Sequence, residues 1–92
     1  MNIYLILYSK RGCHLCEGLL EKLQQIKYIK TQEWHLEIRD ITTNSDWFEA
    51  YQYEVPVLVQ KLSKGEKTLP RSSPRATVEQ VENILNKNLI LN

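Results

Sequence analysis

Tyr8-Ser9-Lys10-Arg11-Gly12-Cys13-His14-Leu15-Cys16 joins two kinds of sequence. Before the break, Asn2–Ser9 is a near-continuous apolar run with β-branched and aromatic members. Such a run predicts a strand buried on both faces. After it, Leu15, Leu19, Leu23 and Ile26 recur at helical spacing, predicting a helix over Cys13–Ile29 with Leu20 widening its apolar stripe. Ser9-Lys10-Arg11-Gly12 is the polar turn between them. The two cysteines therefore fall where a buried strand hands over to a helix.

Downstream, Trp34–Ile41 alternates: Trp34, Leu36 and Ile38 share one face, while His35, Glu37 and Arg39 share the other. Period two predicts a half-buried strand. Thr42-Thr43-Asn44-Ser45 supplies cap and turn chemistry before a short helix over Asp46–Gln52. Val55–Val59 reads as a third strand entered through Pro56, which cannot donate to a ladder. Ser63–Glu66 reads as a hairpin turn, Lys67–Leu69 as a short fourth strand and Pro70–Ala76 as a loop. Thr77 opens the last helix, where Gln80 completes a capping box and Val78, Val81, Ile84 and Leu85 form the buried stripe. The order βαβαββα implies an α/β domain. Strands separated by helices are expected to pair in parallel through right-handed crossovers, and the hairpin adds an antiparallel pair.

The chain has 92 residues, which is one domain's length, so a single domain over residues 1–92 is expected. Twelve Lys and Arg face eleven Asp and Glu, a net charge of +1 that excludes the basic excess of a dedicated nucleic-acid binder. The charge is nevertheless segregated: residues 1–32 carry +3, 33–53 carry −4, 54–76 carry +3 and 77–92 carry −1. The longest N-terminal apolar run is Ile3–Tyr8, too short to span a membrane and without the flanks of a signal peptide. The expected location is the cytoplasm, without membrane attachment, and the expected state is a monomer. In a reducing compartment two cysteines three residues apart point to redox chemistry or metal binding rather than to a structural staple.

The placement of Cys13 favours the redox reading. At a helix start, unpaired N–H groups and the helix dipole favour a thiolate, and Lys10 and Arg11 add positive potential. Cys16, one turn on, is within disulfide reach of Cys13. The first would attack and the second would resolve the mixed disulfide. Zinc would need about four ligands, and the chain offers two Cys and two His, with His35 on a distant strand. No metal is expected. Covalent haem attachment requires His after the second Cys, where Glu17 stands. An inert pair remains the plain alternative, against which the polar loop before Cys13 argues exposure. His14 is a candidate for tuning the thiolate or an exposed residue with no role, and His35 a solvent-face strand residue. Trp47, Phe48, Tyr51 and Tyr53 read as core and cover, and Lys61, Lys64 and Lys67 as a solvated edge.

The nine residues quoted above resemble the glutaredoxin active-site signature: a tyrosine, a small hydroxyl residue, a lysine, two variable positions and CxxC. The element order resembles the thioredoxin-like fold, with a mixed four-stranded sheet flanked by helices. Val55-Pro56, 43 residues after Cys13, resembles the valine-proline pair that forms a cis peptide beside the site in that fold. The resemblance implies a thiol–disulfide oxidoreductase in which Cys13 is the nucleophile, Cys16 resolves, and Val55 and Pro56 shape the partner groove. The implied partners are a disulfide-containing protein or a glutathione mixed disulfide. The reductant would be glutathione or a thioredoxin reductase system, with no bound cofactor. The chain departs from the family at His14-Leu15, where glutaredoxins carry Pro-Tyr. It departs again at Ser72-Ser73-Pro74-Arg75, where they carry a Gly-Gly-x-Asp stretch for glutathione. Arg71 and Arg75 are the candidates to grip a carboxylate in its place, and they are expected to converge with Lys10 and Arg11 on one side of the cysteines. The alternative is a thioredoxin-like adaptor or redox-sensing domain without turnover.

Overall fold

The strand ahead of the cysteines occupies the middle of a sheet, and this placement organises the rest. A computed structural model describes residues 2–91. β1 (Ile3–Ser9) leads through the Lys10–Gly12 turn into α1 (His14–Gln24) and a single-turn α2 (Lys27–Lys30). β2 (Trp34–Asp40) follows, then a 3₁₀ turn (Ile41–Thr43) and α3 (Ser45–Tyr51). β3 (Val57–Leu62) and β4 (Gly65–Thr68) form a hairpin, and α4 (Val78–Asn88) closes the chain. The strand order is β2-β1-β3-β4.

β1 and β2 are parallel, with Ile3 opposite Trp34 and Ser9 opposite Asp40. The α1–α2 crossover spans that connection as expected. β3 separates from β2 by a helix too, yet it lies beside β1 and runs antiparallel to it, Tyr8 opposite Val57. Here the expectation of parallel pairing fails for a reason of length. α3 has seven residues and covers about 10 Å. The seven-residue β2 it would have to run back along covers about 23 Å. The chain therefore re-enters the sheet at the end where β1 and β2 finish.

β1 is buried on both faces except at Tyr4, which is 44% exposed. Ile3, Leu5 and Leu7 pack with Leu23 and Ile26 of the first helical segment and Val81 and Leu85 of α4. Ile6 and Tyr8 face the other way, against Ile41, Val57 and Val59, with Trp47 and Tyr51 of α3 laid over them. α1 and α4 thus cover one face and α3 part of the other.

Several boundaries differ from the sequence reading. The long helix expected over Cys13–Ile29 breaks at Ile26, whose backbone is extended so that its side chain reaches the core fully buried. β3 starts after Pro56 and runs on through Gln60, a polar residue exposed by only 2%. Its amide donates to the Ile90 carbonyl at 2.7 Å and accepts from the Ile90 N–H at 2.8 Å, so the chain end beyond α4 is paired to the sheet through one side chain. Of the three lysines read as a solvated edge, Lys61 and Lys64 are exposed, whereas Lys67 donates to the Asn88 carbonyl at the end of α4. The Thr77–Gln80 capping box is present with both of its hydrogen bonds.

Candidate functional site

Gly12, at φ +79°, makes the left-handed turn that lifts the chain out of β1 and aims it into α1. Cys13 follows as the N-cap of α1, with extended φ/ψ. Its Sγ accepts a hydrogen bond from the Cys16 backbone N–H at 3.2 Å. A sulfur thus takes the place usually held by a Ser or Asp oxygen, at the positive end of the helix. Cys13 and Cys16 form a disulfide with Cα atoms 5.2 Å apart. Their exposures differ sharply. Cys13 is half-buried, whereas Cys16 is 3% exposed beneath the helix. An incoming group therefore reaches Cys13 first, and Cys16 is accessible only through it. Among the described residues no group of three or more His, Cys, Asp or Glu side chains is placed to hold a metal ion.

The Val55–Pro56 peptide is cis. Pro56 is buried, while Val55 packs on the Ile6–Tyr8 side of the sheet. Beside Pro56 opens a cleft of about 740 Å³ between α1, α4 and the loop at 69–77. Of the residues singled out in the sequence, His14, Pro56 and Arg71 line it, whereas Lys10, Arg11, Cys13, Cys16, Val55 and Arg75 do not. Arg71 donates to the Glu54 carbonyl at 2.6 Å. Lys10 reaches the Gln52 carbonyl at 3.4 Å. Arg11 lies toward Asp40, whose carboxyl is held below the usual range by hydrogen bonds from Thr42, with the Arg11 charge adding to the effect. Arg75 is exposed, and its backbone N–H donates to Ser73 Oγ at 3.2 Å. Lys10 and Arg71 thus hold to carbonyls two residues apart in the chain, whereas Arg11 lies toward Asp40.

Among the lining residues, Gly18 and Lys22 were not singled out for a site, and Tyr51 was read only as core and cover. Gly18 sits mid-helix with no packing partner where a side chain would be. Lys22 bridges from α1 to the Pro74 carbonyl at 2.8 Å. Tyr51 comes over from the end of α3. Gly18 alone carried a usable signal, since glycine inside a helical pattern costs stability. Phe48 and Tyr53, read as cover, are exposed by 40% and 92%. Trp47 and Tyr51 do pack on the core, and His35 is exposed and stacked on Tyr4 with ring centroids 4.8 Å apart.

The comparison with known families decides what this geometry belongs to. The model of the glutaredoxin-like domain (DUF836) matches residues 4–86. The chain belongs to that family. Solved structures share the fold, a thioredoxin among them. A malarial protein aligns with a TM-score of 0.67 at 12% identity, covering 98% of this chain and 100% of its own. A structural-genomics target protein from X. campestris gives 0.60 at 24% identity over 92% and 99%. Thioredoxin 1 from Thermosipho africanus gives 0.62 at 19% identity over 91% of each chain. No curated protein matches the sequence. In this glutaredoxin-like chain no helix among the described residues is long and apolar enough to cross a membrane.

Proposed function

We propose that the chain is a thiol–disulfide oxidoreductase that reduces protein or glutathione mixed disulfides through Cys13 and Cys16. The observation that carries this reading is the asymmetry of the pair. Cys13 stands half-buried at a helix N-cap with an N–H aimed at its sulfur, and Cys16 lies buried behind it. In the reduced protein the same N–H and the helix dipole favour the Cys13 thiolate. That thiolate attacks one sulfur of the partner's disulfide, forming a mixed disulfide and expelling the other partner sulfur as a thiolate. Cys16, deprotonated, then attacks the Cys13 sulfur, releasing the second partner thiolate and leaving the Cys13–Cys16 disulfide. The partner gains two electrons. A thiol donor, glutathione or a thioredoxin reductase system, returns them to this disulfide and restores the dithiol. A reducing compartment such as the cytoplasm suits that cycle.

The test is substitution of each cysteine. Cys13→Ser is expected to abolish exchange. Cys16→Ser is expected to accumulate a mixed disulfide, visible by mass spectrometry, because the intramolecular release step is gone. In the reduced wild type, iodoacetamide at neutral pH is expected to label Cys13 before Cys16. Labelling of Cys16 first would reverse the assigned roles. Absence of turnover with every thiol donor would favour an adaptor.

A further inference from the structure

The cleft beside Pro56 is longer than a small thiol requires. On α1 its lining includes His14, Leu15, Gly18, Leu19, Lys22 and Gln25. From His14, between the two cysteines, to Lys22, whose side chain bridges to the Pro74 carbonyl, is about 12 Å at 1.5 Å per residue. An extended chain needs about four residues to cover that distance, whereas a tripeptide spans only about 10 Å. The opposite wall comes from Leu69, the following loop, and Val78 and Val81 of α4.

Charge does not set what this cleft accepts. Glu21 and Glu54 line it along with Lys22 and Arg71, so the formal charges cancel. Both cations are also engaged by backbone carbonyls, Lys22 by Pro74 and Arg71 by Glu54, which ties the walls in place. The remaining lining is largely apolar, and Leu15 next to the disulfide is 51% exposed. Gly18 adds an independent observation. Glycine in a helix interior is unfavourable relative to alanine. No atom lies within 4 Å of where its Cβ would stand, so internal packing does not require it. It leaves a gap in the cleft wall at which another chain can approach the helix backbone.

We propose that the preferred disulfide partner is a protein whose cysteine is flanked by an extended apolar stretch of about four residues, lying along α1 over Gly18 towards Lys22. This rests on the redox reading of Cys13 and Cys16 and narrows it, placing glutathione mixed disulfides as the poorer substrates. Neither cysteine lines the cleft, but Pro56 and the two residues that follow Cys13, His14 and Leu15, do, so a partner whose sulfur meets Cys13 has its flanking residues beside the cleft.

The experiment uses cysteine peptides as mixed disulfides with one common leaving thiol, extended by zero to five valine or leucine residues on either side. The wild-type kcat/KM is expected to rise at least tenfold from the shortest peptide to the longest on one of the two sides, and to exceed that for glutathione. Gly18→Leu fills the gap with a better helix former, so it is expected to melt at a higher temperature while losing the length-dependent gain. Gly18→Ala is expected to melt higher and keep most of the gain. A flat series, or a gain that Gly18→Leu retains, would overturn the proposal. A separate binding arm uses the Cys13→Ser/Cys16→Ser protein and the longest peptide with serine in place of cysteine, read by fluorescence anisotropy. Binding weakened tenfold by Gly18→Leu supports the cleft even if the wild type exchanges no disulfide, an outcome that would sink only the redox reading. Undetectable binding at millimolar peptide overturns the cleft proposal.

Discussion

Tyr8, five residues before Cys13, is 2% exposed yet carries a hydroxyl that both donates and accepts. It donates to Glu66 Oε1 at 2.8 Å and accepts from Arg39 Nη1 at 3.0 Å. The Arg39 guanidinium lies over the Tyr8 and Trp47 rings, 5.6 and 4.8 Å from their centroids. Burial first, and then the Glu66 carboxylate, push the Tyr8 pKa up to about 12. The neutral phenol is therefore the form the fold favours. Between pH 10 and 12 the unfolded chain releases this proton before the folded one does, so the stabilisation present below pH 10 is lost as pH rises through 12. In Tyr8→Phe, denaturant unfolding at pH 8 is expected to show a loss of about 1 kcal/mol from the missing hydrogen bonds. The gap to wild type is expected to narrow above pH 10, because only the wild type carries the titration. A gap that stays constant to pH 12 would show that the phenol is not held neutral by the fold. Tyr8, Cys13 and Cys16 were legible from the sequence because their chemistry is local to one strand-to-helix junction. Arg39 and Glu66 were not, since only the strand register brings Arg39 opposite Tyr8 and the hairpin brings Glu66 to both.

The elements divide by the same rule. Capping chemistry is local, and the Thr77 capping box was readable before any fold was known. Its two bonds, Gln80 N–H to Thr77 Oγ1 at 3.1 Å and Thr77 N–H to Gln80 Oε1 at 2.9 Å, satisfy two otherwise orphaned donors. Thr77→Ala is expected to cost about 1 kcal/mol in urea unfolding, and Thr77→Ser to restore most of it. A cost near zero would mean that α4 is held by Val81 and Leu85 alone. Helix continuity is not local in this sense. Leu23 and Ile26 are both buried, and their spacing fits an unbroken helix, so the break at Ile26 was invisible to periodicity. β2 shows the converse. Its alternation is real, but it is an edge strand, and Ile38 on the apolar face remains 48% exposed where no helix covers it. The third strand was read as Val55–Val59, which leaves out Gln60. Its burial depends on the Ile90 backbone thirty residues away, which no local pattern encodes.

At the scale of the whole molecule the two sides of the sheet are held unequally. The side bearing α1 and α4 encloses the larger cluster, including Leu5, Leu7, Leu23, Ile26 and Leu85, each exposed by 1% or less. The other side rests on a two-turn helix, α3, that has no fully buried residue and touches the core through Trp47 and Tyr51. Buried apolar area is what opposes local opening, so the two layers are expected to open with different free energies. The α3 side also reaches the cleft beside Pro56. Tyr51 ends the helix and lines the cleft, and the carbonyls of Gln52 and Glu54 anchor Lys10 and Arg71. A local opening of α3 would therefore loosen the approach to Pro56 without disturbing α1, which carries the cysteines. Native-state hydrogen exchange checks this. Amides of Leu5–Tyr8 in β1, central in the sheet and buried, are expected to exchange only through global unfolding. Those of α1 are expected to lie near that limit, and those of Phe48–Gln52 to exchange well below it, with a weak denaturant dependence that marks local opening. Trp47→Ala is expected to speed exchange in α3 much more than in α1. Equal protection across α1 and α3 would show instead that the fold opens as one unit, and that the approach to the disulfide is as rigid as the helix that holds it.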